Sequence, residues 1–168
     1  MIRYVRGNLL EAPAEALVNT VNEVGVMGKG LALVFRGAFP DNTRAYEAAC
    51  RRGEVTVGRM MVTENRVLLR PRWIINFPTK RQWRHPSRLE WVREGLKDLV
   101  RVVGEHGVRS LALPVLGCGN GGLEWSQVRR EIESALGDLS DMEVLVFEPT
   151  AAPQTAPGAA RLGDKARR

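Results

Sequence analysis

The sequence predicts an α/β fold, a three-layer α/β/α sandwich with a mixed, largely parallel central sheet. Two observations predict it. Short apolar runs alternate with segments of helical period along most of the 168 residues, the pattern of a sheet covered by helices on both faces. Two of those runs, EALVNTV (15–21) and RSLALPVL (109–116), share one grammar. Each leads into a glycine-rich stretch, NEVGVMGKG or GCGNGGLEW, and then into a helix.

Taken in order, RYVRG (3–7) opens the chain as a strand and EALVNTV follows as a buried one. LALVFRGAF (31–39) has the apolar content of a buried helix. DNTRAYEAACRRG makes the next helix, starting at Asp41 or Asn42, residue types that cap helix N-termini, and ending at Gly53. RMMVTE (59–64) and RWIINF (72–77) are strands. A long helix runs from Ser87, where SRLE has the form of a capping box, through GLKDLVRVVGEHG. RSLALPVL, the helix SQVRREIESAL (126–136) and the buried strand MEVLVFE (142–148) complete a domain over residues 1–150. From residue 151 the text turns to AAPQTAPGAARLGDKARR, which is small, Pro-rich and basic. That composition is expected to form a flexible tail or the start of a linker.

A chain of this length fits one core, burying roughly 70% of the surface its unfolded form exposes. Hydrophobic residues at 44% and charged residues at 26% fit a soluble globular protein and exclude a disordered one. No apolar run approaches the ~20 residues that span a bilayer, and MIRYVRGNLLEAP lacks the form of a signal peptide. A cytoplasmic protein without membrane partners is expected. Cys50 and Cys118, with His85 and His106, have no zinc-ligand spacing, so reduced thiols, no metal and no cofactor are expected.

The formal net charge of +6 favours polyanionic partners. Of 25 basic residues only Lys29, Lys80, Lys97 and Lys165 are lysines, so each lysine asks what an arginine could not do there. Lys80 lies in NFPTKRQWR (76–84), directly after an apolar run and in front of Arg81, Trp83 and Arg84.

In a largely parallel sheet, loops leaving the carboxyl ends of the strands gather on one edge, where ligands bind. Both glycine loops leave from that edge. Glycines let the backbone approach a ligand, and exposed N–H groups with a following helix N-terminus attract phosphate. Two such loops facing each other suit a diphosphate, although either alone reads equally as a tight turn. GVMGKGL lacks the P-loop spacing. The second loop spells GxGxxG across Gly117, Gly119 and Gly122, and Glu148 could follow the next strand, which leaves a dinucleotide-binding reading open. Asn19 and Asn22, at the strand end and loop entrance, either reach ribose hydroxyls or start the loop as Asx turns.

GNLLEAPAEALVNTVNEVGVMGKGLALVFRGAFP, NFPTKRQWR with SRLE after it, and LPVLGCGNGGLEW together resemble the DarG-type macrodomains, from the antitoxin of the DarT/DarG toxin–antitoxin system. The resemblance runs from about residue 1 to residue 149. It implies a macrodomain fold and an enzyme that removes ADP-ribose from thymidine bases of single-stranded DNA, reversing the DarT modification. By position, Lys80 and Asn22 would be catalytic, with Asn22 on the ribose of the scissile bond. The ADP-ribose site would take Asn8 and Leu9 near the adenine, with Asn19. Gly28, Lys29, Gly30 and Leu31 would form the first phosphate loop, and Gly117, Cys118, Gly119, Asn120, Gly121 and Gly122 the second. Implied partners are ADP-ribosylated single-stranded DNA, ADP-ribose as product, and a DarT-type toxin. In the family a second domain thought to bind that toxin follows the macrodomain, so the chain is read as a truncated piece or a short form.

Two departures bear on chemistry. Glu23 stands where the family often reads VNCVG. Lysine-using macrodomains that act on protein glutamate esters carry an aspartate in the second loop, in GCGLDRL, where this chain has Gly121; that favours the DNA-directed reaction. Lys80 would either capture C1″ as an amine, which a guanidinium cannot do, or steady the leaving base as an ammonium. Arg81 and Arg84 are expected to lower its pKa by like-charge repulsion. Arg81, Trp83 and Arg84 would hold DNA, with Trp83 as the stacking face, while Trp73 and Trp91 pack in the core. Two other readings stay open: an ADP-ribose-binding module without turnover, and a hydrolase acting on modified protein or ADP-ribose 1″-phosphate.

Overall fold

The computed structural model describes residues 1–149; the expected tail, 151–168, lies outside the described residues. Six strands form one sheet: β1 (Ile2–Val5), β2 (Ala16–Asn22), β3 (Met61–Glu64), β4 (Trp73–Lys80), β5 (Ser110–Leu113) and β6 (Glu143–Phe147). Their spatial order is β1-β6-β5-β2-β4-β3. Every neighbouring pair is parallel except β3 with β4, so the sheet is mixed and largely parallel, as predicted. The helices are α1 (Gly30–Ala38), α2 (Pro40–Arg51), α3 (Leu89–Glu105) and α4 (Trp125–Leu136), with a 3-10 turn at Leu9–Glu11 that the sequence pattern does not signal.

Side chains alternate across a strand, and β2 feeds two cores. Ala16 and Val18 join Ile75, Leu96, Leu99, Leu111, Val128 and Ile132 under α3 and α4. Leu17 and Val21 join Ile74, Phe35, Tyr46 and Leu145 under α1 and α2. Gly95 lets α3 close onto the sheet, because a Cβ there would run into the Phe77 ring.

Three expectations are corrected. Helix α2 starts at Pro40, not at Asp41 or Asn42. Proline suits a first helical position, and Asn42 is buried, exchanging hydrogen bonds with Asn76 on β4 (3.2 and 2.8 Å) and accepting one from Thr63 (2.7 Å). Helix α3 starts at Leu89 with Arg88 as an N-cap that makes no side-chain bond, so SRLE forms no capping box. Ser87 is buried instead, and its N–H donates to Gly121 O at 3.0 Å. Trp73 packs against the α3/α4 core as expected, but Trp91 is half-buried with the Arg81 and Arg88 guanidiniums over its ring.

Candidate functional site

Strand β4 runs three residues beyond the predicted RWIINF and ends at Lys80. Its pairing with β2 is regular from Ala16↔Trp73 to Val21↔Pro78, then slips, so that Asn22 pairs with Lys80 and Thr79 is passed over. Pro78 has no N–H to give the ladder, and the slip sits beside it. Shifting register by one residue exchanges the face a side chain occupies; here it sets Lys80, rather than Thr79, opposite Asn22.

Both residues line a cleft of about 740 Å³ at the carboxyl edge of the sheet, a size that admits a nucleotide-like ligand. The first glycine loop contributes Val26, Gly28, Lys29, Gly30 and Leu31, and the second Gly117, Gly119, Asn120 and Gly121. Trp83 and Arg84 complete one wall. The loops face each other closely: a Cβ on Gly30 would stand 3.5 Å from Asn120 Nδ2. Lys29, Lys80 and Arg84 are in the lining and no carboxylate is, so the cleft offers an anion backbone N–H groups and net positive charge together.

Lys80 Nζ donates to Asn120 O at 2.8 Å and to Trp83 O at 3.4 Å. Its pKa lies below the usual lysine value, through desolvation first and then the charge of Lys29. The like charge that matters therefore comes from the first loop, not from Arg81 and Arg84 as expected. Those guanidiniums are turned onto indoles instead, Arg81 over Trp91 and Arg84 over Trp83.

Asn22 is held on nearly every side. Its Oδ1 accepts from Val24 N (3.0 Å), Val26 N (3.3 Å) and the Tyr46 hydroxyl (3.0 Å), and its Nδ2 donates to Val26 O (2.8 Å). The Asx-turn reading of Asn22 is thus realised. An amide nitrogen carries two N–H groups, so among the described residues one is left without a bond, on a side chain that lines the cleft. Tyr46, fully buried on α2, also donates to Asn22 O at 2.7 Å. Helical spacing marks Tyr46 only as core, and nothing in the sequence signals that its hydroxyl fixes the loop entrance.

The second loop is set from below. A Cβ on Gly121 would collide with Gly117 O and Ser87 Oγ, so in this backbone position 121 accepts no side chain. Gly117 adopts a positive φ of 72°, which favours glycine.

Several predicted residues lie outside the cleft lining. Asn19 is fully buried in mid-strand, on the α1/α2 face, and donates to Asn76 Oδ1 at 3.4 Å; strand alternation directs it into the amide cluster rather than to the sheet edge. Asn8 caps the 3-10 turn by accepting from Leu10 N (3.1 Å), and Leu9 is buried in the α1/α2 core. Cys118 packs against the other core, its thiol pushed up to about 11 by burial first and then Glu124. Gly122 closes the second loop with a positive φ of 75°. Glu23 lies near Cys50, whose thiol burial pushes up and Glu23 raises further. Glu148, just beyond β6, is engaged by Arg6 (3.8 Å) and Arg129 (3.7 Å) and is absent from the cleft lining. Thr20, Thr79, Pro114 and Val115 also line the cleft; they lie within the stretches that carry the family resemblance, without being marked there as site residues.

The macro domain family model matches residues 18–132. A DNA ADP-ribosyl glycohydrolase of Thermus aquaticus is 61% identical over 154 residues, covering 92% of this chain and 43% of the relative. The solved macrodomain of Thermus aquaticus DarG superposes with a TM-score of 0.85 at 62% identity, covering 89% of this chain and 99% of that one. The macrodomain of Mycobacterium tuberculosis DarG gives 0.88 at 51% identity, with the same coverage. The chain thus spans less than half the length of the full curated relative.

Proposed function

We propose a DNA-directed hydrolase activity for this chain, which belongs to the macro domain family: removal of ADP-ribose from thymidine bases of single-stranded DNA, reversing a DarT-type modification. The observation that carries the reading is the Asn22–Lys80 strand pair at the base of a cationic cleft walled by two glycine loops. In this reading the diphosphate lies between the loops, the free Asn22 N–H meets the ribose of the scissile bond, and Lys80 faces C1″. Asn8 and Leu9 would flank the adenine end, as the family resemblance implies.

Lys80 with a lowered pKa spends more time as the neutral amine. The amine attacks C1″, the C1″–N bond breaks with its electron pair on the thymine nitrogen, and that nitrogen takes up a proton. Water then adds to C1″, the C1″–Nζ bond breaks, and ADP-ribose and free Lys80 result. A second role has its own support: the hydrogen bonds from Nζ to Asn120 O and Trp83 O suit the ammonium form, which would steady the leaving base electrostatically. The antitoxin role and contact with a DarT-type toxin belong to the same proposal.

The test is substrate comparison. ADP-ribosylated single-stranded thymidine oligonucleotide, ADP-ribosylated protein and ADP-ribose 1″-phosphate are offered to the protein, and ADP-ribose release is measured. Preference for the oligonucleotide supports the reading; turnover of modified protein alone contradicts it.

A further inference from the structure

Trp91, on the first turn of α3, is not a free stacking surface. The guanidinium carbons of Arg81 and Arg88 each lie 5.3 Å from its ring centroid. Arg81 directly follows Lys80 in the chain, and Lys80, Trp83 and Arg84 on either side of it line the cleft, so the stack on Trp91 is joined to the cleft wall through Arg81. Among the described residues Arg81 and Arg84 form no salt bridge, and Arg88 meets Glu90 only at 3.5 Å. An indole orients a guanidinium without neutralising it, as a carboxylate would, and leaves its N–H edge free for phosphate. The rim beyond the first loop is different, with Leu33 and Val34 about half exposed. A polyanion leaving the cleft past Arg84 and Arg81 therefore meets positive charge that no carboxylate among the described residues pairs.

We propose that the Arg81–Trp91–Arg88 stack is a phosphate track that carries single-stranded DNA away from the cleft, so that nucleotides on one side of the modified base are held by the protein. The proposal rests on the DNA-directed reading above and extends it. Trp83, 41% exposed and carrying a single guanidinium, Arg84, over its ring, keeps a second face for a base, whereas Trp91 acts through the two arginines that it orients.

The experiment measures binding of unmodified single-stranded oligothymidine by fluorescence anisotropy from about 50 to 200 mM salt. Arg88→Gln is expected to weaken binding about threefold at about 50 mM salt and hardly at all at about 200 mM, because losing one phosphate contact reduces the slope of log Kd against log salt by about 0.7. Trp91→Leu keeps both charges, so it is expected to weaken binding while leaving the slope unchanged, with a thermal melt confirming that it is folded. Wild-type affinity and slope in Arg88→Gln would overturn the track, and wild-type affinity in Trp91→Leu would overturn the orienting role of the indole. ADP-ribose release by the wild type tests the hydrolase reading separately. Arg88-dependent binding without release supports the track alone, and release with Arg88-independent binding removes it.

Discussion

Asn22 and Lys80 are partners across β2 and β4, brought opposite each other by a one-residue slip beside Pro78. Without that slip Thr79 would stand opposite Asn22. The cleft thus owes its central pair to an irregularity in the sheet, a common device near active sites.

The hydroxyl of Tyr46 fixes both the backbone carbonyl and the side-chain oxygen of Asn22. Tyr46→Phe is expected to cost about 1 kcal/mol of stability, the scale of one buried hydrogen bond, read by urea denaturation. It is also expected to lower kcat severalfold while leaving KM nearly unchanged, because the freed Asn22 amide is misaligned rather than removed. A stability loss with normal kcat would restrict Tyr46 to packing.

The lowered pKa of Lys80 has a defined sign. Neutral amine increases as pH rises through that pKa, so the rate of a nucleophilic step should rise with pH and level off above it. Lys29→Gln removes the second cause of the shift, moves the pKa up toward the usual 10.5 and carries the rising limb to higher pH. Folding follows the same linkage. Between the lowered pKa and the unfolded value the folded chain binds fewer protons, so this group makes stability increase with pH there. An unmoved limb in Lys29→Gln would assign the shift to desolvation alone.

Position 121 has no room for a side chain under Gly117 O and Ser87 Oγ. Gly121→Ala is expected to destabilise the fold by about 1–3 kcal/mol, as overpacking does, and to cut activity by displacing the Asn120 carbonyl from Lys80. Calorimetry and the hydrolysis assay read the two effects. Unchanged melting together with full activity would show that the loop relaxes freely.

Most of the architecture is legible in the sequence, and the reasons are local. The six strands and four helices follow from apolar runs and helical spacing, and the two glycine loops locate the ligand edge. What the sequence does not carry is contact between distant segments. Asn19 has the residue type of a ribose ligand, yet mid-strand alternation turns it into a buried cluster with Asn42 and Asn76. SRLE has the letters of a capping box, yet Ser87 packs beneath the second loop, because a glycine 34 positions later leaves space there. The charge that tunes Lys80 comes from Lys29, far away in sequence, rather than from the adjacent arginines.

The most direct measurement compares wild type, Lys80→Arg and Lys80→Ala for ADP-ribose release from a modified single-stranded thymidine oligonucleotide. If the Lys80 amine attacks C1″, release falls by about 10²-fold or more in both variants, the scale on which loss of one catalytic group acts. Near-normal release by Lys80→Arg would contradict the nucleophile, and near-normal release by Lys80→Ala would remove Lys80 from the chemistry altogether.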